Sequence, residues 1–262
     1  MYNAERKVII LDMLNNSSMV YVNDLADILN ASKETIRRDL KRMEEDGVLR
    51  RTHGGAVSLK QADSNVEDPF MIRAIQLHKE KELLCKKAAE IVVDGDTIFI
   101  DNSSTTLNIL KYIEKSHHVT ILTNSIRLLL ESVQLANSNL TLIASGGIFR
   151  PSNYSLTGTL ADDWVKNFRP NKVFFSCNGI RNNSGLTDGG IFETDVKRAM
   201  IKNSQSTYLL ADHTKFGKEG PIFLVGLPDI DYIITDEMVD SETQQSLQTS
   251  SVTLLVVNKT DQ

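Results

Sequence analysis

The sequence predicts an α/β protein in two parts: an N-terminal winged helix-turn-helix over residues 1–58, then a larger doubly wound α/β domain over 79–262, with a linker at 59–78. Three observations predict it. Apolar residues recur at helical spacing three times before residue 45, and two short β-rich runs follow. Beyond residue 80, apolar runs of strand length alternate with helical patterns, as in a parallel sheet covered on both faces. Between the two regions periodicity is lost and the chain carries QADSNVEDP.

At 262 residues the chain is long enough for two cores, and 41% apolar with 24% charged residues is an ordinary globular composition. No apolar run approaches the roughly 18 residues of a membrane span, and MYNAERKVII lacks the features of a signal peptide, so a cytoplasmic location is expected. Cys85 and Cys177 show no CxxC and no nearby histidine pair; buried thiols are expected, with no disulfide framework, no metal site and no cofactor. The net charge of −5 is unevenly spread. Residues 1–60 carry 10 Lys and Arg against 9 Asp and Glu, leaving 19 against 25 for the remainder. Residues 33–60 hold 8 cations against 5 anions, a basic segment on an acidic chain and a suitable partner for a phosphate backbone.

Within the first unit, Ile10, Met13 and Leu14 place one helix over about 3–15. Val22, Leu25, Ala26 and Leu29 place a second, with Asn23 as its expected N-cap. A third opens at Ser32, whose hydroxyl suits an N-cap, and buries Ile36, Leu40 and Met43. Its opposite face presents Glu34, Arg38 and Lys41, flanked by Thr35, Arg37 and Arg42, with Lys33 in the first turn. Gly47 supplies a left-handed stop. VLRR and GGAVSL then read as a hairpin bearing Arg50, Arg51 and His53, its turn expected to use positive φ at Gly54 and Gly55. In a winged helix-turn-helix the third helix enters the major groove and the hairpin lies along the backbone, so these cations are the expected contacts to double-stranded DNA. A single charge-laced helix is more often a solvated face; cations on both helix and hairpin favour the DNA reading.

VNDLADILNASKETIRRDLKRMEEDGVLRRTHGGA resembles the N-terminal signature of the DeoR family of bacterial transcription regulators over about Glu5 to Ala56. The resemblance implies that TIRRDL lies on the recognition helix, that R-x-HGGA closes the wing, and that an operator is read by a homodimer or homotetramer.

In the second unit, KEKELLCKKAAEIV predicts a helix burying Leu83, Leu84, Ala88 and Ile91. The strands TIFI, VTILT, LTLIAS, KVFFSC, TYLLAD, YIITD and TLLVV follow, with helices expected at LNILKYIE, IRLLLESVQ, LADDWVKNF, FETDVKRAMIKN and ETQQSLQ. In such sheets ligands gather at the carboxyl ends of strands. Small polar residues stand at five of them: Asp101 to Thr106, then Thr123, Asn124 and Ser125, then Gly146 and Gly147, then Gly179, then Asp212 and Lys215. Any one has an ordinary explanation as a helix cap; five together point to a crevice. Ser103, Ser104, Thr105 and Thr106, at an expected helix N-terminus, suit a phosphate. Asp101, Asn124, Asp212 and Lys215 suit sugar hydroxyls. Glu193 and Lys197 stand at i, i+4, either as a surface pair or at the rim of the pocket.

DGDTIFIDNSSTT, TNS, SGG, the Gly158 segment, GLTD, ETDVKRAM and DHTKFG also resemble the effector domain of the DeoR family, which is similar in fold to ribose-5-phosphate isomerase and glucosamine-6-phosphate deaminase. The resemblance implies a sugar-phosphate effector held by residues 103–106. This chain departs from the pattern at Ser103, where the family commonly has glycine, and at 189–191, where GGI replaces a frequent Asn-Glu. Two readings of the domain remain: an effector-responsive regulator, expected to repress a sugar-metabolism operon, and a retained isomerase-like enzyme using Asp101, Glu193 or Asp212 as acid or base with Lys215 stabilising an enolate. An attached DNA-binding unit favours the first, and no enzyme activity is expected.

Overall fold

The structure, a computed structural model, describes residues 3–17, 19–52, 54–58, 70–181, 185–248 and 252–258. The chain divides into two compact units, residues 1–76 and 77–262.

The first unit holds helices α1 (Asn3–Ser17), α2 (Val22–Ile28), α3 (Lys33–Glu45) and α4 (Phe70–Ile75) with strands β1 (Met19–Tyr21), β2 (Leu49–Arg51) and β3 (Gly55–Ser58). Its core is the set that helical spacing selects: Ile10 and Leu14 from α1, Leu25 and Ala26 from α2, with Leu29 just beyond it, and Ile36, Leu40 and Met43 from α3. Helix α3 opens as expected, Ser32 Oγ accepting from Thr35 N at 3.1 Å, and ends at Gly47 with φ +69°.

Three details differ from expectation. Asn23 lies inside α2; the cap position is Tyr21, which makes no side-chain cap bond. Strand β1 runs straight into α2, and Val22 N donates to Gly54 O at 2.9 Å, so the wing supplies what a cap side chain would. Strand β1 itself makes the wing three-stranded, in the order β1-β3-β2. Neither Gly54 nor Gly55 takes positive φ; Gly55 faces Tyr21 across the β1–β3 ladder, and a Cβ there would collide with Val20 O. Its role is close approach. Of the expected linker, 59–69 lies outside the described residues, and the rest carries α4 and the start of the next helix.

The second unit begins with α5 (His78–Glu90), where Leu83, Leu84 and Ala88 are buried, Ile91 is half-buried and Val92 fills the buried position beyond it. Strands β4 (Thr97–Ile100), β5 (Val119–Thr123), β6 (Leu140–Ala144), β9 (Lys172–Phe175), β12 (Ser206–Leu210), β14 (Tyr232–Asp236) and β15 (Thr253–Val257) form one sheet in the order β15-β14-β12-β9-β4-β5-β6. Every pair in it is parallel. Phe99, Val173, Phe175, Leu209 and Ile233 point to one side, packed on α7 (Thr159–Val165) and α8 (Ile191–Asn203) through Val165, Val196 and Met200. The alternate residues Ile98, Ile100, Phe174 and Leu210 are buried as well, so both faces are covered. Each such side chain contributes about 1.5–3 kcal/mol on burial. Helices α6 (Ile126–Leu135) and α9 (Ser241–Gln248) complete the helical layers.

Short strands add to this frame: the hairpin β7 (Ile148–Arg150) and β8 (Ser155–Thr157), and an antiparallel sheet β10 (Gly179–Arg181), β11 (Gly185–Asp188) and β13 (Ile222–Val225). LNILKYIE is not an α-helix: 104–108 form turns and a 3-10 helix spans Ile109–Lys111. Residues 103–106 therefore do not sit at an α-helix N-terminus. Their hydroxyls bond to one another and to Asp101, and that local network competes with helical backbone bonding.

Gly55→Ala is expected to destabilise the first unit by about 2 kcal/mol or more, since backbone must move to admit the methyl group. Urea unfolding followed by circular dichroism checks it; an unchanged midpoint would show that the β1–β3 approach is not tight.

Candidate functional site

On the first unit, Lys33, Arg37, Arg38, Lys41 and Arg42 are all exposed along α3, and Arg50 and Arg51 are exposed on β2. Ser32 and Thr35 close the helix start, their hydroxyls 2.8 Å apart. His53 lies outside the described residues. The buried side of α3 is fixed by Asp39, whose Oδ2 accepts from Arg6 Nε of α1 at 2.8 Å; Lys7 reaches Asp46 just past the helix end at 3.0 Å. Glu44 accepts from Arg51 N at 2.8 Å, tying the wing strand to α3. Exposed cations thus stand on both helix and wing, with ion pairs from α1 and the Glu44 hydrogen bond holding these elements in place.

On the second unit, the carboxyl ends of the parallel strands bring together Asp101, Thr123, Ser145, Ser176, Asp212 and Asp236. Asp101 is the buried hub: Oδ1 accepts from Ser103 N at 3.1 Å and Thr106 Oγ1 at 2.7 Å, and Oδ2 accepts from Ser176 N at 3.2 Å. Behind the same loop Lys81, itself buried on α5, donates to Ser104 Oγ at 3.2 Å, and Cys85 donates to Thr105 O. Burial pushes the Cys85 and Cys177 thiols up to about 12.

Several expected ligand residues have other engagements. Glu193 and Lys197 form neither a surface pair nor any pair: both are buried, with different partners. Glu193 Oε1 accepts from Arg150, Asn153 and Ser155 at 3.0, 3.3 and 2.8 Å, latching the β7–β8 hairpin onto α8. Lys197 Nζ donates to Ser176 O at 2.7 Å and Asp188 Oδ2 at 2.6 Å, and forms an ion pair with Asp101 Oδ2 at 3.2 Å. Burial acts to lower its pKa, but the carboxylates of Asp188 and Asp101 outweigh it and hold the group well above the ordinary lysine value. Ser125 caps α6 through Leu128 N, and Thr123 Oγ1 donates to Ile100 O. Gly179 has no room for a Cβ beside Lys218 O, and Asp212 caps the turn at Thr214. Gly146 is open at φ +66°, whereas Gly147 at φ +100° is pressed against Thr157 O. Lys215 is half-buried.

Three further polar groups near these strand ends were not singled out from the sequence: Lys81, Ser176 and Asp188. Asn102, inside the expected 101–106 run, and His213, inside the DHTKFG motif, join them, with His213 Nδ1 lying 3.0 Å from Asp236 Oδ1. Asn124 Nδ2 donates to Asn102 Oδ1 and Leu156 O at 3.3 Å each, leaving buried Asn124 Oδ1 with no partner; buried Ser176 Oγ has none either. Lys81 carried a readable signal, because Lys81, Leu84, Cys85 and Ala88 share one buried stripe at i, i+3, i+4, i+7.

A winged helix-turn-helix with exposed cations on its third helix, followed by a parallel α/β unit with polar groups gathered at its strand ends, is the build of a two-part transcription regulator. The chain belongs to the DeoR family: residues 6–62 match the DeoR-like helix-turn-helix domain and 76–237 the DeoR C terminal sensor domain. It is 34% identical to the uncharacterized HTH-type transcriptional regulator YulB of Bacillus subtilis over 97% of this chain and 96% of that one. It is 33% identical to the HTH-type transcriptional regulator GolR of Listeria innocua (95% and 96%), and 26% identical to the HTH-type transcriptional repressor CsqR of Escherichia coli (94% and 93%). Among solved structures, ribose 5-phosphate isomerase A from Methanocaldococcus jannaschii matches with a TM-score of 0.40 and 15% identity, over 53% of this chain and 54% of that one. No helix among the described residues is long and apolar enough to cross a membrane.

Lys197→Met is expected to lower unfolding free energy by about 3–5 kcal/mol, because it leaves Asp101 and Asp188 buried beside no countercharge. Urea titration monitored by the single tryptophan, Trp164, checks it; a loss under about 1 kcal/mol would show that water reaches the carboxylates.

Proposed function

We propose that this regulator is a cytoplasmic repressor whose grip on operator DNA is modulated by a phosphorylated sugar bound at the strand-end crevice. Ser103 to Thr106 and Lys81 seat the phosphate, and Asn102, Asn124, Ser176 and Asp212 face the sugar hydroxyls. The observation that carries the reading is the gathering, at one end of the sheet, of a buried lysine on a hydroxyl-rich loop with the unpartnered Asn124 Oδ1 and Ser176 Oγ. Buried polar atoms without partners are costly, about 1–3 kcal/mol each, and a polyhydroxylated ligand satisfies them.

The reading as regulator, not isomerase, is supported by family membership and by relatives named as regulators, one of them a repressor. It is supported too by Lys197, which is held by protein groups through hydrogen bonds to Ser176 and Asp188 and an ion pair with Asp101. The effector acts only through its differential affinity for the DNA-competent and DNA-incompetent states. Lys33, Thr35, Arg37, Arg38, Lys41, Arg42, Arg50 and Arg51 contact the duplex, with Ser32 shaping the start of the recognition helix. A homodimer or homotetramer matches a palindromic operator.

Gel shifts with promoter fragments from the chain's own genomic neighbourhood, titrated with a panel of pentose and hexose phosphates, test the proposal. Failure of every sugar phosphate to alter DNA binding, or turnover of one by NMR, overturns it. Arg38→Ala is expected to weaken operator binding and flatten the salt slope by about 0.9, the loss of one phosphate contact, as read from affinity across a salt series. Lys81→Met is expected to keep operator affinity while raising the effector concentration needed for the response about 10-fold or more, the loss of one charged hydrogen bond.

A further inference from the structure

The acidic residues of α3 differ in their place along the helix and in their exposure. Asp39 is buried against Arg6, Glu44 accepts from the Arg51 backbone, and Glu45 lies 3.8 Å from Lys41 in the last turn. Glu34 is in the first turn, its side chain 84% exposed, and the cation paired with it, Arg37, is 3.5 Å away. At i+3, i+4 and i+7 from it stand Arg37, Arg38 and Lys41, so the carboxylate belongs to the cationic stripe itself.

A carboxylate carried against DNA among those cations is repelled by the phosphates. Its presence there is favourable only where its oxygens meet donors. Two groups on the base edges of the major groove donate hydrogen bonds: the N4 amino of cytosine and the N6 amino of adenine. Glutamate suits the first, whereas the second is matched by an amide that can also donate to adenine N7. Side chains from the N-terminal end of a recognition helix are the ones that reach base edges, and Glu34 is the acid at that end. Arg37 beside it carries the fork that fits guanine O6 and N7.

We infer that Glu34 is a specificity-determining residue: its carboxylate accepts a hydrogen bond from the N4 amino group of a cytosine in each operator half-site. The alternative is an acid that only complements the positive end of the α3 dipole. The two differ in sequence dependence. A dipole role changes affinity for every duplex alike, whereas a reading role changes discrimination at one base pair.

The inference rests on α3 being the helix that enters the groove. Full-length wild-type protein selects a half-site from a randomised duplex library. Each base pair is then replaced in gel-shift titrations with wild type, Glu34→Ala and Glu34→Gln, alongside Arg38→Ala. One C·G pair is expected whose replacement by T·A weakens wild type about 10-fold or more. In Glu34→Ala the penalty at that pair alone falls to within about 2-fold, and Glu34→Gln shifts preference there toward adenine. Penalties elsewhere persist, and thermal melts of these exposed-site variants match wild type. Unchanged discrimination at every position, or a change at a pair other than C·G, overturns the assignment. If Arg38→Ala also leaves binding untouched, the interface lies elsewhere and both readings fall together.

Discussion

One buried carboxylate, Asp101, organises the larger unit. It ends β4 in the middle of the parallel sheet, fixes the 103–106 loop through Ser103 N and Thr106 Oγ1, reaches β9 through Ser176 N, and meets Lys197 from α8. A charge that far from water is tolerable because its acceptor sites are filled and a cation lies beside it. Lys197 is shared with Asp188, which brings the end of β11 into the same network. Paired charges on rigid elements thus frame these strand ends, where Asn124 Oδ1 and Ser176 Oγ stand buried without a partner.

The same logic runs through the smaller unit on a simpler scale. Arg6 fastens α1 to the middle of α3 and Lys7 fastens it to Asp46 just past the helix end, while Glu44 fastens α3 to the wing. Ridges of Ile36, Leu40 and Met43 anchor the apolar side of the recognition helix. The backbone of α3 is therefore set by its supports, and its long cationic side chains stay exposed.

Much of this is written locally in the chain and much is not. The three N-terminal helices, the Ser32 cap and the seven parallel strands follow from spacing and β-rich apolar runs, because burial on one stripe or on both faces leaves that mark on sequence. The strands β1, β7, β8, β10, β11 and β13 are three or four residues long, too short for a period to register; β1 and β13 exist through pairing with distant segments, and β7–β8 and β10–β11 as local hairpins. LNILKYIE has helical spacing, yet the hydroxyls of 103–106 redirect the chain into turns. At the crevice, strand ends pointed to Asp101, Ser103, Ser104, Thr105, Thr106 and Asn124. Spacing alone misassigned the company of Glu193 and Lys197, since an i, i+4 relation says nothing of a hairpin arriving from 40 residues away.

Because the loop after β4 opens a turn and not an α-helix, it has no macrodipole to attract an anion, and its positive potential comes from Lys81 on another element. Lys81 stands in the first turn of α5, its amide bonded to Leu77 O at the junction where the second unit begins. The buried ammonium of this candidate crevice therefore stands four residues from Leu77, where the second unit starts, and its position is fixed by the first turn of α5.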